Sequence, residues 1–173
     1  MHELRTRGSL RGSRAAASGD YSPGRVELDR ADRAIIEELQ VDGRMPYAKL
    51  APLVGLSEAA TRQRVNKLVE RGVMQIVAVT DPEMLGLRHQ AMVGIDVDAD
   101  VRTVAEELAA IDAVDYLVIS AGRFDIMAEV FSSDQTEFLS ILNDQIRPIA
   151  GIKNIEILTY LSLVKQTYNW GSG

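Results

Sequence analysis

The chain has 173 residues, 46% of them hydrophobic and 25% charged, which is ordinary for a protein with a real core and leaves room for two compact domains. It has no cysteine and only two histidines, His2 and His89, which excludes disulfides, thiolate metal sites and cysteine nucleophiles and argues against a histidine-built metal or general-base centre. The net charge of −6 is unevenly spread: five basic against two acidic groups over residues 1–25, eight against eight over 26–75, and six against fifteen over 76–173. Contact with a polyanion therefore falls to the first half, because the acidic second half would be repelled.

Residues 1–25 are rich in Gly, Ser and Arg and nearly devoid of large apolar side chains, so they read as a flexible basic arm that cannot bury enough surface to offset ordering. A loose extension is the plainer reading, and an arm touching phosphates is the alternative. The basic start has no apolar centre, so it is not a secretory signal, and no apolar run approaches the roughly 18 residues that span a bilayer.

A helix is expected from Asp29, a plausible N-cap, with Ala31, Ile35 and Leu39 at helical spacing, ending near Val41–Arg44. A second runs from about Pro46 to Val54 and buries Tyr47, Leu50, Ala51 and Val54. Pro52 inside it predicts a short or bent helix. Gly55 supplies a tight turn, Ser57 caps a third helix, and Glu58 suits the positive end of its dipole. Thr61, Val65 and Leu68 form its inward stripe, which leaves Arg62, Gln63, Arg64 and Lys67 facing solvent, and Gly72 stops it.

On an isolated helix those four would be an ordinary solvated face. After a short helix and a glycine turn they fit the arrangement that lays a basic helix in the DNA major groove. Arg62, Gln63 and Arg64 are then candidates for bases or backbone, Ser57, Thr61 and Lys67 for phosphates, and Arg44 for nearby backbone. Val73–Thr80 is β-rich and matches the ribbon of a winged helix-turn-helix, so residues 26–80 form one expected domain.

Asp81-Pro82 and Gly86 mark a linker over 81–88, and a second domain is expected over 89–165. Ala91–Val97 reads as a strand and Val101–Ile111 as a helix. Val114–Ala121 and Asp125–Phe131 read as strands joined by Gly122-Arg123-Phe124. Asp134–Gln145 is a helix and Ile152–Val164 a last strand. The order βαββαβ is that of a ferredoxin-like sandwich with two helices on one sheet face, so the fold class is α+β. The bare face would expose apolar side chains and predicts self-association. Residues 166–173, including Trp170, form a tail.

With both halves read, the chain resembles the Lrp/AsnC, or feast/famine, regulators over roughly residues 26–166. The resemblance is carried by LDRADRAIIEELQVDGR (28–44), LAPLVGLS (50–57), RVNKLVERGVM (64–74), DPEMLGL (81–87) and the G-x-F-D hairpin Gly122–Asp125. Pro46 and Pro52 depart from the family pattern. The family implies a DNA-binding domain followed by an ACT-like (RAM) domain that pairs through its sheet, with dimers often joining into octamers. It also implies an amino-acid effector held between dimers near the G-x-[YF]-D loop, here Ala121, Gly122, Arg123, Phe124 and Asp125. Glycine-turn N–H groups and Arg123 would face a carboxylate, and Asp125 an ammonium group.

The expected partners are double-stranded DNA, the effector and further copies of the chain, in the cytoplasm at the nucleoid, with no cofactor and no membrane. Two other readings stand beside it. One is an architectural DNA-binding protein without an effector. The other is an amino-acid-metabolising enzyme or its regulatory subunit, against which stands the lack of any His, Cys or Ser/His/Asp arrangement and of a Gly-rich phosphate loop.

Overall fold

The N-terminal unit starts from reciprocal capping. In the computed structural model, which describes residues 27–167, helix α1 (Arg30–Val41) opens with the Asp29 carboxylate accepting from the Asp32 N–H at 2.8 Å, while the Asp32 carboxylate accepts from the Asp29 N–H at 3.3 Å. The arm expected over 1–25 and the end of the tail, residues 168–173, lie outside the described residues.

Helix α2 (Tyr47–Leu53) follows Pro46, which offers no side-chain cap, and it runs for seven residues with Pro52 inside it. Gly55, at φ +69°, takes the left-handed turn that an L side chain resists, and Leu56 N–H donates to the Ala51 carbonyl at 3.0 Å across it. Helix α3 (Glu58–Glu70) is capped by Ser57, whose Oγ accepts from the Ala60 N–H. Ile35, Leu39, Leu50, Val65 and Leu68 form the shared core of the three helices, with Tyr47 and Val54 packed against it.

One expectation fails in this unit. Residues 73–80 form no strand. A ribbon needs a partner with free backbone groups, and among the described residues the regular elements of this unit are three helices that satisfy their own. Ile76, Val77 and Val79 are left exposed.

The described residues divide into two compact units, 27–79 with 164–167, and 80–163. The second opens with a 3₁₀ turn (Glu83–Leu85) and continues as β1 (His89–Val97), α4 (Val101–Ala109), β2 (Val114–Ile119), β3 (Ile126–Ser132), α5 (Gln135–Ser140) and β4 (Ile152–Thr159). The sheet is antiparallel in the order β2-β3-β1-β4, and the βαββαβ order is as expected. Alternation decides the faces. Ala91, Val93 and Ile95 of β1 and Ile126, Ala128 and Val130 of β3 are fully buried under Val104, Leu108, Phe138, Ile141 and Leu142 of the helical layer.

Several ends shift by one or two residues, and two differences from expectation are larger. The helix beginning at Gln135 widens into a π turn over Ile141–Ile146. The last strand stops at Thr159, not Val164, because its partner β1 begins at His89 and the pairing is spent once Tyr160 N–H reaches the Gln90 carbonyl.

Registers place Met92, Gly94 and Asp96 opposite Leu158, Glu156 and Asn154 on the outer face, with Met127 and Glu129 beside them. Tyr116, 54% exposed, and Leu158, 42% exposed, leave that face open.

Candidate nucleic-acid interface and ligand loop

Helix α3 advances about 100° per residue, so its inward stripe fixes where every other side chain points. Thr61, expected to hold a phosphate, lies in that stripe with Val65 and Leu68 and is fully buried. Its hydroxyl donates to the Ser57 carbonyl one turn back, at 3.0 Å, and it cannot touch DNA. Ser57 itself stays exposed at the N-cap.

Arg64 also departs from the solvent-facing expectation. It turns toward α1, where Nη1 lies 2.6 Å from Asp29 Oδ2 and 2.8 Å from Asp32 Oδ1. The Asp32 N–H, and next to it Arg64, hold the Asp29 carboxyl below the usual carboxylate range. The Arg64 pKa is raised in turn by its bonds to Asp29 and then Asp32. Asp29, Asp32, Gln63, Arg64, Lys67 and Arg71 line a groove of about 370 Å³ between the two helices, whose mixed charge makes it a poor phosphate cradle.

Arg62 occupies the opposite flank. Its guanidinium lies 5.4 Å from the centre of the Tyr47 ring of α2, and Nη2 pairs with Glu58 at 3.1 Å. Between the flanks runs an exposed crest that includes Gln63 and Asn66, with Lys67 beside it. None of these three side chains has a partner among the described residues. Asn66 escaped the sequence reading, although its spacing of three from Gln63 puts the two amides on one line. Arg44 is exposed in the turn after α1, where its N–H donates to the Asp42 carboxylate at 2.9 Å.

The residues expected to hold an effector meet in the β2–β3 hairpin. Ser120 N–H donates to the Asp125 carbonyl at 2.8 Å and Ser120 Oγ to the Phe124 carbonyl at 2.7 Å, which closes the turn. Asp125 ties the turn to β1: its N–H donates to the Ile95 carbonyl at 3.0 Å, and its Oδ2 accepts from the Val97 N–H at 2.8 Å where the β1–β4 register shifts. One carboxylate oxygen of Asp125 is therefore an anchor for the sheet.

Phe124 lies over Gly94, close enough that a Cβ there would sit 2.6 Å from the ring. Arg123 stacks on Phe124 at 5.2 Å and pairs with Glu156 of β4. Gly122 is unobstructed, and Ala121 precedes it on the same exposed turn. Gly94 and Glu156 were not singled out from the sequence. A glycine inside a strand pattern is a signal of close approach, whereas Glu156 gave none.

Residues 28–69 match the AsnC-type helix-turn-helix domain, and residues 87–173 match the PF0864 C-terminal dimeric alpha+beta barrel domain. The HTH-type transcriptional regulator PH0140 of Pyrococcus horikoshii is 36% identical over 149 residues, covering 85% of this chain and 92% of that protein. Among solved structures, E. coli AsnC is similar with a TM-score of 0.74 at 25% identity, over 83% of this chain and 98% of that one. NMB0573 from Neisseria meningitidis, solved as a complex with L-Met, is similar with a TM-score of 0.72 at 25% identity, over 82% of this chain and 94% of that one.

Proposed function

The chain belongs to the Lrp/AsnC family of transcriptional regulators and is not an enzyme, and from that premise we propose that it binds specific double-stranded DNA sites as a homodimer or an assembly of dimers, under control of a small amino-acid-like effector. The observation that carries the DNA half is the α3 crest, where polar side chains without partners among the described residues stand on a helix set by a glycine turn. Two such helices related by a two-fold axis would read the halves of a pseudo-palindrome. Gln63 faces bases, while Lys67, Arg62, Ser57 and Arg44 face phosphates. Such a regulator of amino-acid metabolism works at the nucleoid, in the cytoplasm.

The ligand half rests on the Gly122 hairpin. The Arg123–Glu156 pair is well exposed, so it is worth about 0–1 kcal/mol and yields easily to a better partner. An amino acid offers one for each side, its carboxylate to the Arg123 guanidinium and its ammonium to Glu156. The L-Met bound to the Neisseria protein supports this ligand class. Effector binding and DNA binding would be coupled reciprocally through the assembly, so each alters the affinity for the other.

Two measurements test the proposal. Footprinting on the DNA flanking the chain's own gene should give a protected palindrome, and binding indifferent to sequence would favour an architectural protein instead. A thermal-shift screen against the amino acids should return a stabilising ligand. That shift should vanish in Gly122→Asp, whose Cβ would meet no atom of the described residues within 4 Å and whose carboxylate would fill the ligand's space. A normal shift in that variant would remove the hairpin from the ligand site.

A further inference from the structure

Five cationic or amide side chains stand on the outer part of α3: Arg62, Gln63, Arg64, Asn66 and Lys67, the last of which the proposed function gives to phosphate. Their surroundings separate them. Arg64 is bonded through one nitrogen to two carboxylates of α1, at 2.6 and 2.8 Å, and its side chain is only 34% exposed. Arg62 is held on the α2 flank by Tyr47 and Glu58. Gln63 and Asn66 stand exposed between them, with no partner among the described residues.

We propose that the Asp29–Asp32 pair withdraws Arg64 from the DNA, so that the operator is chosen by the amides of Gln63 and Asn66 and carries adenine, not guanine, at the positions α3 reads. The proposal rests on the reading of α3 as the DNA-contacting helix and adds what that helix selects.

The chemistry follows from the edges of the base pairs. A free arginine matches the two acceptors of guanine, O6 and N7, whereas a side-chain amide matches adenine, donating to N7 and accepting from the N6 amino group. The aspartates engage one terminal nitrogen of Arg64 and hold its guanidinium against the capped end of α1. They also place two negative charges on that flank, which disfavours insertion of Arg64 into a groove lined with phosphate. Arg64 is thus a positioning residue. It fixes α3 against the capped end of α1 and acts on DNA only by holding the crest in place.

The experiment is selection of binding sites from a random duplex library by the full chain, followed by salt titrations on the selected duplex. Wild type should select sites with adenine in each half. Gln63→Ala and Asn66→Ala should each lose preference at one position, by roughly 5- to 150-fold against the other bases. Arg64→Gln should keep the selected sequence and the slope of log K against log salt while melting at a lower temperature, and Arg64→Lys should recover the melting temperature.

The double variant Asp29→Asn/Asp32→Asn should release Arg64 to the backbone and steepen the salt slope by about one, and adding Arg64→Gln should cancel that gain. A shallower slope or altered base preference in Arg64→Gln overturns the proposal, as does guanine selection by wild type. If wild type selects no sequence at all, the DNA-regulator reading falls as well.

Discussion

Asp29 does three things at once: it caps α1, accepts from Arg64 and so ties α1 to α3. Because its folded pKa is lowered, its contribution to stability is present above the unfolded value near 4 and is lost as pH falls through the folded value. Asn is as good an N-cap as Asp but carries no charge. Asp29→Asn should therefore keep α1 while flattening the loss of melting temperature below about pH 4. An unchanged acid profile by circular dichroism would mean that other carboxylates set the acid limit. Gly94 gives a second test. Ala there should cost about 1–3 kcal/mol in a urea titration, because its methyl would press on the Phe124 ring. Phe124→Leu should recover part of that cost, and simple additivity of the two changes would show that they do not meet. Helical period made the stripe Thr61, Val65, Leu68 legible in the sequence, but it could not reveal that Arg64 bends to partners 32 and 35 residues away. Spacing gives the angle of a side chain on its own helix, and ion pairs across the chain depend on packing that the sequence does not display.

Elements were legible where their signals are local. The caps Asp29 and Ser57, the glycine turn and the βαββαβ alternation depend on neighbours within a few residues, and these elements lie where the sequence places them. Residues 73–80 and 160–164 have equally β-prone sequences and form no strand, because a strand exists only against a partner edge. Ser57 allows the cap of α3 to be separated from the contact surface. Ser57→Ala should lower stability by about 1 kcal/mol through the lost bond to the Ala60 N–H. Ser57→Asp should keep the cap and favour the positive end of the helix, yet repel a phosphate placed there. We expect Ser57→Asp to be as stable as wild type and to bind DNA more weakly. Full DNA affinity in that variant would remove Ser57 from the interface.

At the scale of the whole molecule, one sheet face remains to be covered. The helices bury Val93, Ile95, Ala128 and Val130, while Met92, Met127, Tyr116 and Leu158 lie on the opposite side with no layer of this chain described over them. The face is not purely apolar: Glu129 accepts from Gln90 at 2.7 Å, and burial together with Glu129 pushes the Tyr160 hydroxyl up to about 12. A satisfied polar group inside an apolar patch suits an interface with a fixed register better than a sticky surface. If two copies pair through this face, the contact is isologous and every substitution in it counts twice per dimer. Leu158→Glu would then bring two carboxylates into an apolar seam, a cost that burial of a charge makes severe. The inner core contains no part of that side of the strand, so the fold should survive. Sedimentation velocity should therefore show a monomer with an unchanged circular dichroism spectrum. Its affinity for a palindromic site should fall toward that for a half-site, because the linkage that makes the second α3 contact intramolecular is gone. A Leu158→Glu chain that sediments at the size of wild type would place the interface elsewhere.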